Sequence, residues 1–369
     1  MMRHSSYLEI DLKILGSNVE KIKKLSGKAI PLPMVKANAY GNGIVPVARY
    51  LVQELGIKKI GVATLGEAIE IFKECPGLDT EIIVFSDTEV HDDKLREAYH
   101  NFKMTPLLQH RSDLESVLND SQLKNLPLMI KFNSGMNRLG FTLDELAEIA
   151  PRLKGRGVKH LISHFATSFY VKKDADKVDR QYEEFRKAKK LLSDAGVSVE
   201  ETSIANSGAI EQKIGTEETY TRPGLMLYGP PSVSPQIWDG KQISRLVTKV
   251  IKTFPIKKGT PAGYGINVAG EHGFMIVIAL GYGDGFMTFM SGVELIINGH
   301  NGKVFGRVNM DLAYIIFDPS VEGKIKVDDV VEIWGHNDHK ITDIADQMKT
   351  HAYQVMCGIT SRIPRVYKE

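Results

Sequence analysis

Residues 159–205 read KHLISHFATSFYVKKDADKVDRQYEEFRKAKKLLSDAGVSVEETSIA. The stretch opens and closes on short apolar runs, 159–165 and 202–205, with a helical pattern between them. Over 176–195, Val178, Tyr182, Phe185, Ala188, Leu191 and Leu192 fall on one face at helical period, and Gly196 follows as a stop. Strand, helix, strand is the repeating unit of a parallel sheet covered on both faces. Similar runs stand at 30–35 (IPLPMV), 59–63 (KIGVA), 81–86 (EIIVFS), 103–108 (KMTPLL) and 128–132 (LMIKF), and another at 220–228. Amphipathic stretches separate them; one opens with Thr142 and Glu145, a capping-box pair ahead of Leu146 and Ile149. Eight such units in about 230 residues fit a (β/α)8 barrel. An open doubly wound sheet accounts for the same alternation, and Pro31 and Pro33 stand inside the first run although strands accept proline mainly at edges and ends.

Beyond about residue 235 the texture changes. PPSVSPQIWDG at 230–240 reads as a linker. Strand-like runs follow at 246–256, 274–280, 293–297, 303–308, 312–317 and 330–334, joined by turns such as NGHNG at 298–302. Only 341–350 reads as helix. The expectation is α/β plus β: an N-terminal (β/α)8 TIM-like barrel over 1–235 and a mostly β-strand domain over 236–369.

The length of 369 residues suggests two domains or one large one, at about 150 residues per domain. Cys75 and Cys357 are too few and too far apart for a disulfide framework or a four-cysteine zinc site. Lys+Arg 47 against Asp+Glu 45 leaves a net +2, which argues against a dedicated nucleic-acid binder. No apolar run approaches the roughly 20 residues of a membrane span. Glu9 and Asp11 interrupt the opening segment before a signal-peptide core forms. These features lead us to expect a soluble, cytoplasmic protein.

A barrel places its chemistry at the carboxyl ends of its strands. Those positions hold Lys36, Lys131, His164, Asn206 with Ser207, and Arg222. A lysine closing an apolar run is a desolvated amine, nucleophile or base, or else a cation snorkelling out at a strand end. Asn206-Ser207-Gly208 and Pro223-Gly224-Leu225 occupy the two loops with which barrels frequently bind phosphate, although each also reads as an ordinary turn. A reactive lysine opposite a phosphate site is the arrangement pyridoxal phosphate requires. Arg222 can only donate, so it would leave the cofactor's pyridine nitrogen unprotonated and restrain the carbanion. His164 would orient Arg222 or stack on the ring. Asp284 and Asp311 do not repeat a calcium-loop spacing, no HExxH helix is present, and no metal is expected.

Taken together, these segments resemble the alanine racemase family of fold-type III pyridoxal-phosphate enzymes over nearly the whole chain. The most specific match is Val35-Lys36-Ala37-Asn38-Ala39-Tyr40-Gly41. Ser134 to Gly140, Ser163 to Thr167, Asn206-Ser207, Arg222-Pro223-Gly224, Gly263-Tyr264-Gly265, Gly281 to Gly285, Gly306 to Asp311 and Tyr353 follow in the family's order. The resemblance implies that Lys36 holds the cofactor as a Schiff base and is one of two bases. Tyr264 would be the other, supplied by the partner in a head-to-tail homodimer. Tyr40, Ser207, Gly224, Leu225 and Tyr353 would hold the phosphate, Arg222 the pyridine nitrogen with His164 as brace, and Arg138 and the Met310 amide the substrate carboxylate. Tyr282 and Arg307 would line the entry channel, Asp311 would support them, and Lys131 would position the arginine, carbamylated in some members. Two bases suit racemisation, which takes a proton from one face of Cα and returns one to the other.

The sequence also departs from the family pattern. Asn42 stands where histidine is usual, Asn133 where aspartate is frequent and Phe169 where an acid is common. The expected activity is interconversion of L- and D-alanine for peptidoglycan. The alternatives are a broad-specificity or serine racemase, a fold-type III decarboxylase, and a pyridoxal-phosphate carrier without enzymatic activity.

Overall fold

The computed structural model describes residues 5–170, 175–335 and 339–368. The chain divides into two compact units. One comprises 16–39 and 44–240; the other gathers residues up to Leu15, Tyr40–Gly43 and the chain from Lys241 onward.

In the first unit all eight apolar runs form strands: Ile30–Pro31, Lys59–Thr64, Glu81–Asp87, Met104–Leu108, Met129–Lys131, Val158–Ile162, Val199–Asn206 and Tyr220–Arg222. Each pairs in parallel with its neighbour, and the first run pairs with the eighth. A parallel bridge from Met34 to Gly61 joins the first run to the second and closes the ring, which decides for the barrel over the open sheet. Pro31 and Pro33 fit because hydrogen bonding alternates along a strand. The amides of Ile30, Leu32 and Met34 donate to Thr219, Thr221 and Pro223 on one side, at 2.9, 2.8 and 2.9 Å. The missing proline N–H groups face the other side, where Val35 N donates to Gly61 O at 2.8 Å and Gly61 N donates back to Pro33 O at 2.9 Å.

Gly61 is small because the seam is tight there. A Cβ would lie 2.6 Å from Met34 Sδ and 2.7 Å from Phe85 Cε2. Gly61→Val is therefore expected to lower the unfolding free energy by about 3 kcal/mol through overpacking, read as a fall in the urea midpoint at unchanged slope.

The helix Ala175–Asp194 buries Val178, Tyr182, Phe185, Ala188 and Leu192 as its period requires. Thr142 caps Leu143–Leu153 with the expected reciprocal box to Glu145. Among the described residues, no helix is long and apolar enough to cross a membrane.

The second unit is an eight-stranded, largely antiparallel sheet centred on the long strand Ser244–Ile256. Two of its strands are not apparent from hydropathy. Tyr7–Asp11, from the start of the chain, pairs antiparallel with Ser244–Ile256 and parallel with Arg365–Lys368, from its end. The helical stretch read over 341–350 is Ile341–Gln347, and a second helix, Ala352–Cys357, follows it. Met348, Lys349, Thr350 and His351 separate the two, with Lys349 in the left-handed region, so no continuous helical period crosses them.

Candidate active site

Within the barrel unit, Lys36 is half-buried directly after Val35. The chain then turns left-handed. Ala37, Asn38, Ala39 and Tyr40 have φ of 53°, 54°, 52° and 53°. None is glycine, and each such residue costs about 1–2 kcal/mol. Part of the restraint is local: the Ala39 amide donates to Val35 O at 2.8 Å, and Asn38 Oδ1 accepts from Ile44 N at 2.8 Å.

Lys131 ends its strand beneath a loop that Asn133 organises. Asn133 Oδ1 accepts from the amides of Gly135 (3.1 Å) and Asn137 (3.0 Å), while its Nδ2 donates to Asn137 Oδ1 at 3.0 Å. An aspartate would make the first two bonds but not the third, so the departure at 133 retains the turn and adds a donor. Arg138 leaves this loop exposed to solvent. Burial and then the charges of Arg222, Arg138 and Lys36 hold the Lys131 amine well below its usual range.

Arg222 is buried, and both terminal nitrogens of its guanidinium are hydrogen-bonded. Nη1 donates to Ser203 Oγ at 2.5 Å, and Nη2 donates to Ser163 O and, at 3.2 Å, to Ile204 O. Burial pushes it down to about 9, so it remains protonated at neutral pH. His164 Nδ1 lies 3.4 Å from Nη2. Burial first, then Lys131, Arg222, Arg138 and Lys36, push this imidazole well below its usual value. It is therefore a neutral brace that adds no charge. The groups acting electrostatically on Lys131 and His164 are all cations among the described residues. Such a cluster fits a ligand bearing phosphate and carboxylate groups.

The loops at Ser207 and Gly224 are tied together. Asn206 caps the turn Ser207–Glu211, its Oδ1 accepting from Ala209 N at 3.2 Å. Ser207 Oγ accepts from Gly224 N at 2.9 Å, which leaves the hydroxyl proton for an anion. Leu225 follows in a short 3-10 helix, Leu225–Tyr228, whose Tyr228 hydroxyl donates to Met34 O at 2.9 Å. The donors fit the phosphate and ring of pyridoxal phosphate. Phe169 is exposed, its ring centroid 4.4 Å from that of Tyr170.

The second unit holds the remaining candidates. The Tyr40 and Tyr353 ring centroids are 5.7 Å apart. Asn42 is buried and donates from Nδ2 to Tyr40 O at 3.2 Å, which accounts for a short amide in place of an imidazole. Tyr264 is 68% exposed between Gly263 and Gly265, both in the left-handed region. The Tyr282 amide donates to Asn309 O and the Gly283 amide to Met310 O, each at 2.9 Å, so the 281–285 and 309–311 turns form one platform. Met310 is exposed on it, and Arg307 is exposed beside it in sequence. Asp311 Oδ1 accepts from Arg362 Nη2 at 2.8 Å, and Arg362 Nε lies 3.3 Å from Asp284 Oδ1. Arg362, Ser203, Ser163 and Glu67 are residues to which sequence reasoning gave no role. Each acts on another residue's position, for which no local pattern exists.

The two halves of the chain match two family models in succession, the alanine racemase N-terminal domain over residues 10–231 and the alanine racemase C-terminal domain over 243–367. The chain belongs to the alanine racemase family. A curated relative, the alanine racemase of Hahella chejuensis, is 31% identical over 99% of this chain and 98% of its own. The solved alanine racemase of Acinetobacter baumannii is 28% identical with a TM-score of 0.85, covering 99% of this chain and 100% of that one. The Bartonella henselae alanine racemase, solved with covalently bound pyridoxal phosphate, shares the fold at a TM-score of 0.87 and 23% identity, over 99% of this chain and 100% of that one.

Proposed function

We propose that this chain is a pyridoxal-phosphate-dependent alanine racemase that supplies D-alanine for peptidoglycan in the cytoplasm. The observation that carries the reading is the cationic barrel mouth, Lys36, Lys131, Arg138 and Arg222, beside the joined Ser207 and Gly224 loops. Pyridoxal phosphate, when bound, withdraws electrons from a substrate amine's Cα and acidifies its proton. Lys36 would hold the cofactor and move that proton at one face of Cα, and the Tyr264 phenol oxygen would move it at the other. Ser207, Gly224, Leu225, Tyr40 and Tyr353 would hold the phosphate, with Asn206 setting the Ser207 turn. Arg138 and the Met310 amide would hold the substrate carboxylate. Arg222, a donor only, would face the ring nitrogen without giving it a proton, which would limit the ring's electron withdrawal and so disfavour transamination.

The exposure of Tyr264, Tyr282 and Met310, at 68%, 43% and 53%, supports a head-to-tail homodimer in which these residues and Arg307 serve the partner's barrel. Asp311 would brace that platform through Arg362.

Purified protein with pyridoxal phosphate in deuterated water is expected to interconvert L- and D-alanine with deuterium incorporated at Cα and no carbon dioxide released. Serine racemised faster than alanine would favour the broader reading, carbon dioxide would indicate a decarboxylase, and retention of stereochemistry in every amino acid tried would overturn the racemase.

A further inference from the structure

The left-handed turn after Lys36 has an external restraint. The Ala37 amide lies 2.5 Å and the Asn38 amide 3.4 Å from one oxygen of Glu67, Oε1. Its other oxygen, Oε2, accepts from Ala63 N at 2.8 Å and Thr64 N at 3.3 Å. One carboxylate therefore ties the ends of the first two barrel runs to each other. The Oε2 limb belongs to an ordinary capping box, completed by Glu67 N donating to Thr64 Oγ1 at 3.2 Å. The Oε1 limb has no part in that box. It reaches across to amides of exposed residues whose backbone is unfavourable for any L side chain.

We propose that Glu67 is a positioning residue, a carboxylate clamp that holds the left-handed turn and thereby fixes the direction in which Lys36 presents its amine to the cofactor. The proposal rests on the reading of Lys36 as the cofactor lysine. Four N–H donors converge on two oxygens, and only a carboxylate offers acceptors on both sides. A glutamine in its place turns an NH2 group toward one pair of donors.

The test has two readouts. In the chain without cofactor, the Ala37 amide is expected to exchange about 100-fold more slowly than an unstructured amide despite its exposed residue. Glu67→Gln should remove most of that protection and speed release of pyridoxal phosphate from the holoenzyme about tenfold, the equivalent of roughly 1.4 kcal/mol. Thr64→Ala, which breaks the box but keeps the clamp, should leave both readouts near wild type. Adding Ala37→Gly to Glu67→Gln should restore cofactor retention, because glycine adopts the turn without the penalty.

Exchange and release unchanged in Glu67→Gln, an equal loss in Thr64→Ala, or a deficit that Ala37→Gly leaves in place would each overturn the clamp. If Glu67→Gln does not fold, wild-type exchange decides alone, and an unprotected Ala37 amide refutes it. A wrong cofactor lysine would show differently, as borohydride labelling of some other residue whatever the exchange result.

Discussion

Lys36→Ala is expected to reduce racemisation by about 10⁴-fold or more, because one substitution removes both the covalent hold on the cofactor and a base. Cofactor binding should weaken and persist in part, since the proposed phosphate site at Ser207, Gly224 and Leu225 does not depend on the lysine. Borohydride treatment followed by peptide mapping is the decisive measurement. Wild-type protein should carry the reduced adduct on Lys36, and the variant should carry none. An adduct on Lys131, the other amine among these cations, would move the cofactor and invalidate the assignment. Stability should change little, because Lys36 is only half-buried and contributes to no strand pairing.

Tyr264→Phe carries the second large effect. The phenyl ring keeps the shape of the turn aromatic and removes only the oxygen, and at 68% exposure the loss should leave the melting temperature unchanged. Racemisation should fall about 10²–10⁴-fold, the usual contribution of a positioned acid–base group. The loss should be asymmetric. Lys36 still exchanges the proton on its own face, so one enantiomer should wash in deuterium from solvent faster than it racemises, while the other is inert. Equal loss for both enantiomers with no residual exchange would remove Tyr264 from the two-base pair.

The two variants together test the shared site. In a mixed dimer of Lys36→Ala and Tyr264→Phe chains, a head-to-tail arrangement makes one site wild type and the other doubly defective. About half the wild-type activity per mixed dimer should return, or about a quarter over an equal mixture that re-pairs at random. Sites complete within one chain would recover none.

The barrel was legible in outline because each of its strands is a local apolar run and each covering helix has its own period. Lys36, Arg222 and Ser207 were legible for the same reason, as polar residues closing those runs. Other features left no local trace. Pro31 and Pro33 counted against a strand until the alternation of amides placed their missing donors on the sparsely bonded side. Tyr7–Asp11 is a short strand of mixed character whose partners lie near residues 245 and 366, so no window of sequence includes them. Glu67 closes a capping box with Thr64, a local pairing; its second oxygen's reach to Ala37, thirty residues away, is visible only in three dimensions.

The sequence by itself determined the period of each element, the family, and which residue types stand at strand ends, since these depend on neighbours within a few positions. Tertiary structure alone decided that the sheet closes through Met34 and Gly61, that the chain's first strand joins its last, and that four cations crowd around a neutral His164. Closure, long-range pairing and electrostatic environment depend on distance in space, and residues remote in sequence acquire that distance only when the chain has folded.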